Sequence, residues 1–317
     1  MAGLLAPQFQ NEDVAREHLE KQRWPEGAVC PHCGVIGEAT KLQPVTDTKT
    51  HARKGTWKCN ACREQFSVTV GTIFEDSHIP LHKWLLAIHL MCSSKKGISA
   101  LQLQRNLALG SYRSAWFMCH RIRWAMTQDP MAGMLSGIVE VDETYVGGRE
   151  KGAGKRGVPG ADSKKTPVVA MVERGGNVRS FPVERVTVAN IKPLLQAHIE
   201  AGTKLMTDEH TVYHFTKDAF PSHHTVKHSA KEYSRNDNGL KVTTNTVEGY
   251  FAILKRGNYG VFHHWSRKYM AQYLAEFDFR YNGRKMNDDD RAALALKKTD
   301  GKRLMLKTPK RTSVLPE

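Results

Sequence analysis

Four cysteines in two closely spaced pairs place the strongest constraint on how this chain can fold. Cys30 and Cys33 form one C-x-x-C pair, and Cys59 and Cys62 form another after the intervening residues 34–58. Each pair can turn two thiolates to one side of a tight knuckle, and two knuckles complete a tetrahedral S₄ site for Zn²⁺. Strand-like segments, GTWKC and REQFSVTV, flank the second pair. The pattern predicts a zinc ribbon whose single ion is structural, since four thiolates leave no open position.

The charge balance indicates a polyanionic partner. The 317 residues include 47 Lys and Arg and 32 Asp and Glu, a formal net charge of +15. This excess favours nucleic acid as the partner over a basic enzyme with a merely solvated surface. No segment reaches the about 18 apolar residues of a membrane span, and the first residues lack a signal-peptide pattern. We therefore expect a cytoplasmic protein with no membrane partner, in which the remaining cysteines, Cys92 and Cys119, fill core space.

Residues 80–130 have a helical pattern that resembles a helix-turn-helix. Segments 81–92, 99–109 and 111–126 place apolar side chains at helical spacing, and Gly110 separates the last two. The alternative is a helical linker domain that packs on the core. In the DNA-binding interpretation, the third segment offers basic side chains to DNA: Arg113, Arg121 and Arg123.

Three acidic residues occur where two strands and a helix can bring them together. Asp142 follows the alternating segment IVEV, Asp208 ends the short strand KLMTD, and Glu248 lies on a predicted helix over residues 245–260. On this helix Glu248 shares a face with Lys255, which could hold a phosphate of a bound strand. Three neighbouring carboxylates would repel one another unless cations lay between them. The pattern predicts two Mg²⁺ (or Mn²⁺) ions, which can hold the attacking and leaving oxygens of a phosphoryl transfer.

The order of the predicted elements is that of a ribonuclease H-like core. A strand over residues 138–148 precedes a hairpin over 166–186 and a helix over 189–199. The strand that ends on Asp208 and the helix with Glu248 follow. This order would place the first strand beside the strand that follows the helix, with their acids at neighbouring ends. The expected fold class is multidomain α+β, in which the α/β catalytic core contains a mixed sheet.

The chain divides into four parts in this interpretation. Residues 1–79 are the N-terminal helix and zinc ribbon, and 80–130 the helix-turn-helix-like domain. Residues 136–285 are the ribonuclease H-like catalytic domain, and 286–317 a C-terminal helix with a basic tail. A Gly-, Lys- and Arg-rich segment over 147–165 is either ordered by DNA phosphates or a solvated loop. Outside the helical domain, further residues are expected to contact DNA: Lys155, Arg156, Arg256, His263 and His264.

The combination of these motifs resembles the bacterial insertion-sequence transposases that pair an N-terminal zinc ribbon with a DDE catalytic core, the ISXO-type group. The motifs that carry the resemblance are RWPEGAVCPHCG, CNACREQF, VDETYVGG, TDEH, NTVEGYFAILKRGNYGVFHHWS and EFDFRYNGR. They extend from about residue 10 to 285. The resemblance implies a catalytic triad of Asp142, Asp208 and Glu248, with Lys255 as the basic residue that follows the third acid.

The resemblance also implies a reaction and its partners. DNA would be cleaved at terminal inverted repeats, and the 3′ ends would be transferred to target DNA. Joining two element ends implies a homodimer or higher oligomer in a synaptic complex, at the nucleoid of a bacterial cell. One alternative is a DNA-binding regulator with the same domains and no catalysis, which the presence of all three acids disfavours. Another is a nuclease that cuts without joining ends.

Overall fold

The structure is a computed structural model that describes residues 3–43, 54–128, 133–147 and 165–305. The described chain forms two compact units. The first unit draws on residues 1–93, 100–126 and 288–317, and the second on residues 94–99 and 127–287. The zinc-ribbon, helical and C-terminal segments that the sequence separates therefore share one unit, while the finer division into four domains stays a prediction.

The helices of the described residues agree with the sequence pattern in position and extend over fewer residues than predicted at several ends. They are α1 Glu12–Arg23, α2 Leu81–Ser93, α3 Ala100–Asn106, α4 Tyr112–Ala125, α5 Val188–His198, α6 Thr216–Ala219, α7 Asn245–Gly257, α8 Met270–Asn282 and α9 Asp288–Lys297. None of them is both long enough and apolar enough to cross a membrane.

The strands form a three-stranded sheet in the first unit, and a five-stranded sheet with a separate two-stranded hairpin in the second. They are β1 Ala39–Lys41, β2 Thr56–Cys59, β3 Gln65–Ser67, β4 Ile138–Val146, β5 Thr166–Glu173, β6 Val178–Pro182, β7 Lys204–Asp208, β8 Ser222–Val226, β9 Ser234–Asp237 and β10 Leu240–Thr243.

Helix α2 provides much of the core of the first unit. Its predicted apolar face is buried, including Trp84 and Ile88. Cys92 on the same helix is also buried, as predicted, and so is Cys119 on α4. The C-terminal helix α9 packs against α2, where the guanidinium of Arg291 donates a hydrogen bond to the carbonyl of Cys92 at 2.8 Å. The predicted C-terminal segment thus completes the core of the N-terminal unit.

The five-stranded sheet of the second unit has the order β6-β5-β4-β7-β8. Strands β6, β5 and β4 pair antiparallel, and β7 and β8 continue the sheet parallel to β4. The hairpin predicted over residues 166–186 is therefore β5 and β6, and α5 is the helix that leads from β6 to β7. A mixed sheet results, because the hairpins reverse the chain between β4, β5 and β6, whereas the crossover through α5 lets β7 run in the same direction as β6 and β4.

Helices cover both faces of this sheet. On one face, apolar side chains of β5 such as Val168 and Ala170 pack in one cluster with Val247 and Leu254 of α7 and with residues of α8. On the other face, alternate strand residues pack in a second cluster with α5. The two-residue period of the strands sorts their side chains between these two clusters. The sheet therefore lies between helices that are each apolar on one side.

A buried polar network ties the edge strand β6 to α7 and α8. The carboxylate of Asp278 on α8 accepts hydrogen bonds from the backbone N–H of Ser180 at 2.9 Å and from its hydroxyl at 2.7 Å. The hydroxyl of Tyr250 on α7 donates to the same carboxylate at 2.6 Å. Burial raises the pKa of Asp278 to about 7. Two residues before Ser180 on β6, the backbone N–H of Val178 donates a hydrogen bond at 2.7 Å to the side-chain oxygen of Asn282, the last residue of α8.

Replacing Tyr250 by Phe tests this network. We expect Tyr250→Phe to lower the free energy of unfolding by about 1–2 kcal/mol, because it removes one donor to a buried carboxylate and leaves the packing of the ring in place. The control is Tyr259→Phe, since Tyr259 is 54% exposed. Urea denaturation followed by circular dichroism gives both values, and equal stability of the two variants would show that the Tyr250 hydroxyl makes no net contribution.

Candidate active site and zinc centre

Parallel pairing of β4 with β7 brings two of the three predicted acids side by side. The pairing runs from Ile138 opposite Lys204 to Glu140 opposite Met206. Asp142 and Asp208 each lie two residues beyond that last pair, so both side chains are on the same face of the sheet as their paired predecessors. Asp142 and Asp208 therefore lie on adjacent strands, on the same face of the sheet.

Strand β4 begins where the predicted strand over residues 138–148 begins and ends at Val146. Asp142, which the sequence places at a strand end, instead lies inside the strand. Its pairing with β5 continues through Thr144 opposite Val168 to Val146 opposite Thr166, after the pairing with β7 has ended. At Asp142, β4 is thus still paired with β5 on one side and is no longer paired with β7 on the other.

Helix α7 presents the third acid on the same face of the sheet. The predicted apolar stripe of α7 is buried, including Tyr250 and Leu254, whereas the side chain of Glu248 is 44% exposed. The hydroxyl of Thr244 donates a hydrogen bond to Oε1 of Glu248 at 2.9 Å. Nε2 of His228 lies 3.6 Å from the same oxygen. The Glu248 carboxylate is therefore held in the first turn of a helix whose apolar face is buried.

Electrostatic interactions connect the three acids. Burial raises the pKa of Asp142 to about 8, and the carboxylates of Glu143, Asp208 and Glu248 contribute to that shift by charge repulsion. Repulsion of this kind acts over short distances in a partly buried site. The fold thus concentrates negative charge at one place, an environment that favours protons or metal cations there.

Glu143 adds a fourth acid that faces the opposite side of β4. The buried hydroxyl of Tyr213 donates a hydrogen bond to Oε2 of Glu143 at 2.5 Å. Burial raises the pKa of Glu143, and this hydrogen bond partly opposes the shift. On the neighbouring strand, Oδ1 of Asp208 accepts the backbone N–H of His210 at 3.0 Å. Hydrogen bonds therefore fix the orientation of the Glu143 and Asp208 carboxylates.

The predicted basic residues have different positions in the fold. Lys255 lies on α7 seven residues after Glu248 and is partly exposed. Four of the residues predicted to contact DNA have exposed side chains: Arg113, Arg256, His263 and His264. Two others, Lys155 and Arg156, lie outside the described residues. The exposed positions are compatible with DNA contacts, which stay a prediction.

The other two residues predicted to contact DNA, Arg121 and Arg123, are buried. The side chain of Arg123 is only 1% exposed, and that of Arg121 is 6% exposed. The Arg121 guanidinium donates a hydrogen bond to the carbonyl of Glu75 at 2.6 Å and lies over the ring of Trp84. Their position on α4 turns both side chains into the first unit, where Arg121 joins α4 to the segment around Glu75.

The four cysteines form a compact cluster in the first unit. Sγ of Cys30 lies 3.7 Å from Sγ of Cys62, and Sγ of Cys33 lies 3.6 Å from Sγ of Cys59. A tetrahedron with Zn–S bonds of about 2.3 Å has sulfur–sulfur edges of about 3.8 Å, so the four thiols fit Zn²⁺. The backbone N–H of Cys62 contributes most to lowering the pKa of Cys59, to about 7. The predicted zinc site is present in its full ligand set.

The carboxylates form a wider group than the thiols. Across the residues that the structure describes, the cysteine cluster is the group of three or more possible ligands whose atoms all lie within 4.8 Å of one another. Asp142, Asp208 and Glu248 interact electrostatically without meeting that condition. Their arrangement is accordingly more open than a closed structural site.

Sequence reasoning missed Glu140, a buried acid two residues before Asp142. Its carboxylate accepts hydrogen bonds from the backbone N–H groups of Thr246 and Val247, at 2.7 and 3.0 Å. An acidic residue in the interior of an otherwise apolar strand, on the same face as Asp142, is the signal that could have identified it. Thr244 and His228, which contact Glu248, had no comparable signal in the sequence.

Comparison with known proteins adds independent information. Residues 10–65 match the family described as transposase zinc-ribbon domain, and residues 134–282 match the ISXO2-like transposase domain. The chain is also similar to an uncharacterized protein in transposable element ISH50 of Halobacterium salinarum. The two are 27% identical over 289 residues, which cover 86% of this chain and 91% of the relative. The matched regions contain the cysteine cluster and all three acids.

Zinc content tests the cysteine cluster. We expect the purified protein to contain one zinc ion per chain, and Cys59→Ser to lose most of it because a hydroxyl is a poor ligand for Zn²⁺. Cys119→Ala is the control, since Cys119 is a buried cysteine outside the cluster. Elemental analysis after gel filtration measures the ratio. Full zinc content in Cys59→Ser would exclude this thiolate as a ligand.

The raised pKa of Asp142 predicts how stability depends on pH. Its pKa rises from 3.8 to about 8 on folding, so the folded protein keeps a proton that the unfolded chain releases. Stability is therefore lost as the pH increases between these values. We expect Asp142→Asn to be more stable than the wild type, by a margin that grows towards pH 8 and is on the order of 1 kcal/mol.

Urea denaturation of the zinc-loaded protein in Mg²⁺-free buffer at pH 5, 7 and 8.5 measures this margin. Adding Mg²⁺ should raise the midpoint of the wild type more than that of Asp142→Asn, because the cation offsets the carboxylate repulsion only where the carboxylate is present. Glu200→Gln, at an exposed position, is the control for a general charge effect. A margin that does not change with pH would contradict the raised pKa of Asp142.

Proposed function

We propose that this chain, which belongs to the ISXO2-like transposases with an N-terminal zinc ribbon, cuts DNA at the terminal inverted repeats of its insertion sequence and transfers the 3′ ends to target DNA. The observation that carries the proposal is that Asp142 and Asp208 lie on one face of the sheet and Glu248 lies on α7, the helix that packs on that face. Metal-dependent phosphoryl transfer is the reaction for which such a set of carboxylates is suited.

The topology of the second unit supports this reaction. Three antiparallel strands, a crossover helix and two further parallel strands, in the order β6-β5-β4-β7-β8, correspond to the ribonuclease H-like arrangement expected from the sequence. In this arrangement the first strand and the strand after the crossover are neighbours. We infer that the second unit is a ribonuclease H-like catalytic domain in which Asp142, Asp208 and Glu248 form the DDE triad.

The donor set fits divalent cations such as Mg²⁺ or Mn²⁺. All donors are carboxylate oxygens, the ligands that these hard cations prefer. Burial and, after it, repulsion from the neighbouring acids raise the pKa of Asp142, and positive charge between the acids would relieve the repulsion. The carboxylates of Asp142, Asp208 and Glu248 would hold the ions, and we propose two of them, as two-metal phosphoryl transfer requires. Divalent ions held there would supply Lewis-acid stabilisation of the attacking and leaving oxygens.

The residues themselves would position the DNA strand. Glu248, held by Thr244 at 2.9 Å, would stay in place while DNA binds. Lys255 lies two helical turns further along α7, about 10 Å, so its ammonium group can pair with a phosphate beside the cleaved bond. The exposed His263 and His264 follow α7 and offer ring nitrogens to the same strand. Water or a 3′-hydroxyl serves as the nucleophile, so no protein residue becomes covalently linked to DNA.

DNA would bind through long-range charge as well as through these contacts. The formal net charge of +15 favours association with a polyanion. Arg113 and Arg256, both exposed, are candidate phosphate contacts. Synapsis of two element ends requires that two or more copies act together, so we propose a homodimer or higher oligomer on DNA at the nucleoid.

Cleavage of a labelled DNA end tests the proposal. With DNA bearing the end of the native element and Mg²⁺ or Mn²⁺, we expect the wild type to cut and leave a 3′-hydroxyl. Glu248→Gln should bind the same DNA within about twofold and cut at least about 100-fold more slowly, because even partners of metal ligands contribute 10–100-fold. Joining of the 3′ ends to a supercoiled plasmid distinguishes a transposase from a nuclease that only cuts.

The control is Glu200→Gln, an exposed Glu-to-Gln change in the same unit. It should cut and bind like the wild type. Specific binding of the DNA end without cleavage by any of the three proteins, under conditions that support synapsis, would favour the alternative function, a DNA-binding regulator. Equal cleavage by wild type and Glu248→Gln would remove Glu248 from the catalytic set.

A further inference from the structure

Glu140 is a buried carboxylate that belongs to no part of the proposed catalytic set. It lies in the middle of the second unit on β4, and its side chain is fully buried. A carboxylate taken out of water is costly unless hydrogen bonds and an opposite charge compensate it. The groups that compensate Glu140 come from the start of α7 and from Arg174.

The first partners of Glu140 are the opening residues of α7. Oε2 accepts the backbone N–H groups of Thr246 at 2.7 Å and Val247 at 3.0 Å. Oε1 accepts the hydroxyl of Thr246 at 2.8 Å. Backbone N–H groups in the first turn of a helix have no partner within the helix, and negative charge there interacts favourably with the helix dipole. Glu140 therefore caps α7 from a neighbouring strand.

The second partner of Glu140 is Arg174, at the end of β5. Nε of Arg174 donates to Oε1 of Glu140 at 2.6 Å. The two terminal nitrogens of Arg174 donate to the carbonyls of Lys241 at 2.6 Å and Thr243 at 3.0 Å. The guanidinium thus neutralises the carboxylate and holds β10, the strand that leads directly into α7. Both the helix and the segment before it are fixed to one point on β4.

We propose that Glu140 is a positioning residue that sets Glu248 relative to Asp142. The inference rests on the proposed function. Asp142 is two residues from Glu140 on the same face of β4, about 6.6–6.8 Å along the strand. Glu248 directly follows Val247, whose N–H binds Glu140. One rigid strand therefore carries one catalytic acid and the attachment point of the helix that carries another.

Orientation, more than stability, accounts for an ion pair at this place. A buried ion pair often contributes no more to stability than apolar side chains of the same volume would. Its hydrogen bonds are directional, however, and here five of them meet on one carboxylate and its guanidinium partner from α7 and β10. Residues that hold metal ligands in place typically contribute 10–100-fold to metal affinity or activity.

Metal affinity separates positioning from a merely structural role. We expect Glu140→Gln to weaken Mn²⁺ binding to the zinc-loaded protein by about 10-fold or more, because the neutral amide cannot accept all of these donors at once. Binding is measured by electron paramagnetic resonance of free Mn²⁺, well below the unfolding midpoint of each protein. Affinity for the labelled DNA end should change by less than about twofold, and Glu200→Gln should behave like the wild type in both assays.

A milder pair of variants covers the case in which Glu140→Gln does not fold. Thr246→Val removes the hydroxyl that binds Glu140 and keeps both backbone N–H bonds, whereas Thr246→Ser keeps the hydroxyl. We expect Thr246→Val to weaken Mn²⁺ binding by a few-fold and Thr246→Ser to restore it. A matching order of half-saturating metal concentrations for DNA cleavage would link the affinity to the reaction.

The outcomes distinguish failure of this inference from failure of the proposed function. In one outcome, the wild type binds Mn²⁺ and cuts DNA, and Glu140→Gln has the same Mn²⁺ affinity with only a lower unfolding midpoint. This outcome would show that Glu140 contributes to stability alone, and it would overturn the inference without affecting the proposed function. An identical Mn²⁺ affinity in Thr246→Val and Thr246→Ser would overturn it in the same way. Absence of Mn²⁺ binding and of cleavage in the wild type would overturn the proposed function and, with it, this inference.

Discussion

The parallel pairing of β4 with β7 is the constraint on which the candidate active site depends. It places Asp142 and Asp208 on adjacent strands, and the repulsion between their carboxylates opposes the fold unless the site binds a proton or a cation. The apolar clusters on both faces of the sheet supply the stabilisation that holds these charges together. The site is therefore built at a cost in stability, as expected where function requires concentrated charge.

Two carboxylates on the same face of β4 show how environment assigns different roles to the same chemical group. Glu140 is fully buried, and four hydrogen-bond donors, one of them from a guanidinium, satisfy it. Asp142 accepts the backbone N–H of Glu143 at 2.8 Å and otherwise faces the negative charge of other acids. The first carboxylate is saturated by the protein, whereas the second retains the capacity to bind a cation. A spacing of two residues thus separates a structural attachment from a candidate metal ligand.

The sequence predicted those features that depend on local spacing or on the order of elements. The cysteine cluster follows from two C-x-x-C pairs, and the convergence of Asp142 with Asp208 follows from strand order alone. Features that depend on tertiary packing could not be predicted in this way. The burial of Arg121 and Arg123 is an example. Basic residues on a helix are usually exposed, so the sequence predicts exposure unless the neighbouring elements are known. The capping of α7 by Glu140 joins residues more than 100 positions apart, which no local pattern encodes.

The motif EFDFRYNGR, one of those on which the resemblance to transposases rests, has a structural role in this fold. Asp278 and Asn282 bind the backbone N–H groups of Ser180 and Val178 on the edge strand β6. Four helical residues rise about 6 Å, and two strand residues span about 6.6–6.8 Å, so side chains one turn apart on α8 match successive outward-facing groups of the strand. An open strand edge is a template for pairing with other chains. Helix α8 therefore covers the β6 edge of the sheet, and the candidate site, with Asp142 and Asp208, lies away from that edge on β4 and β7.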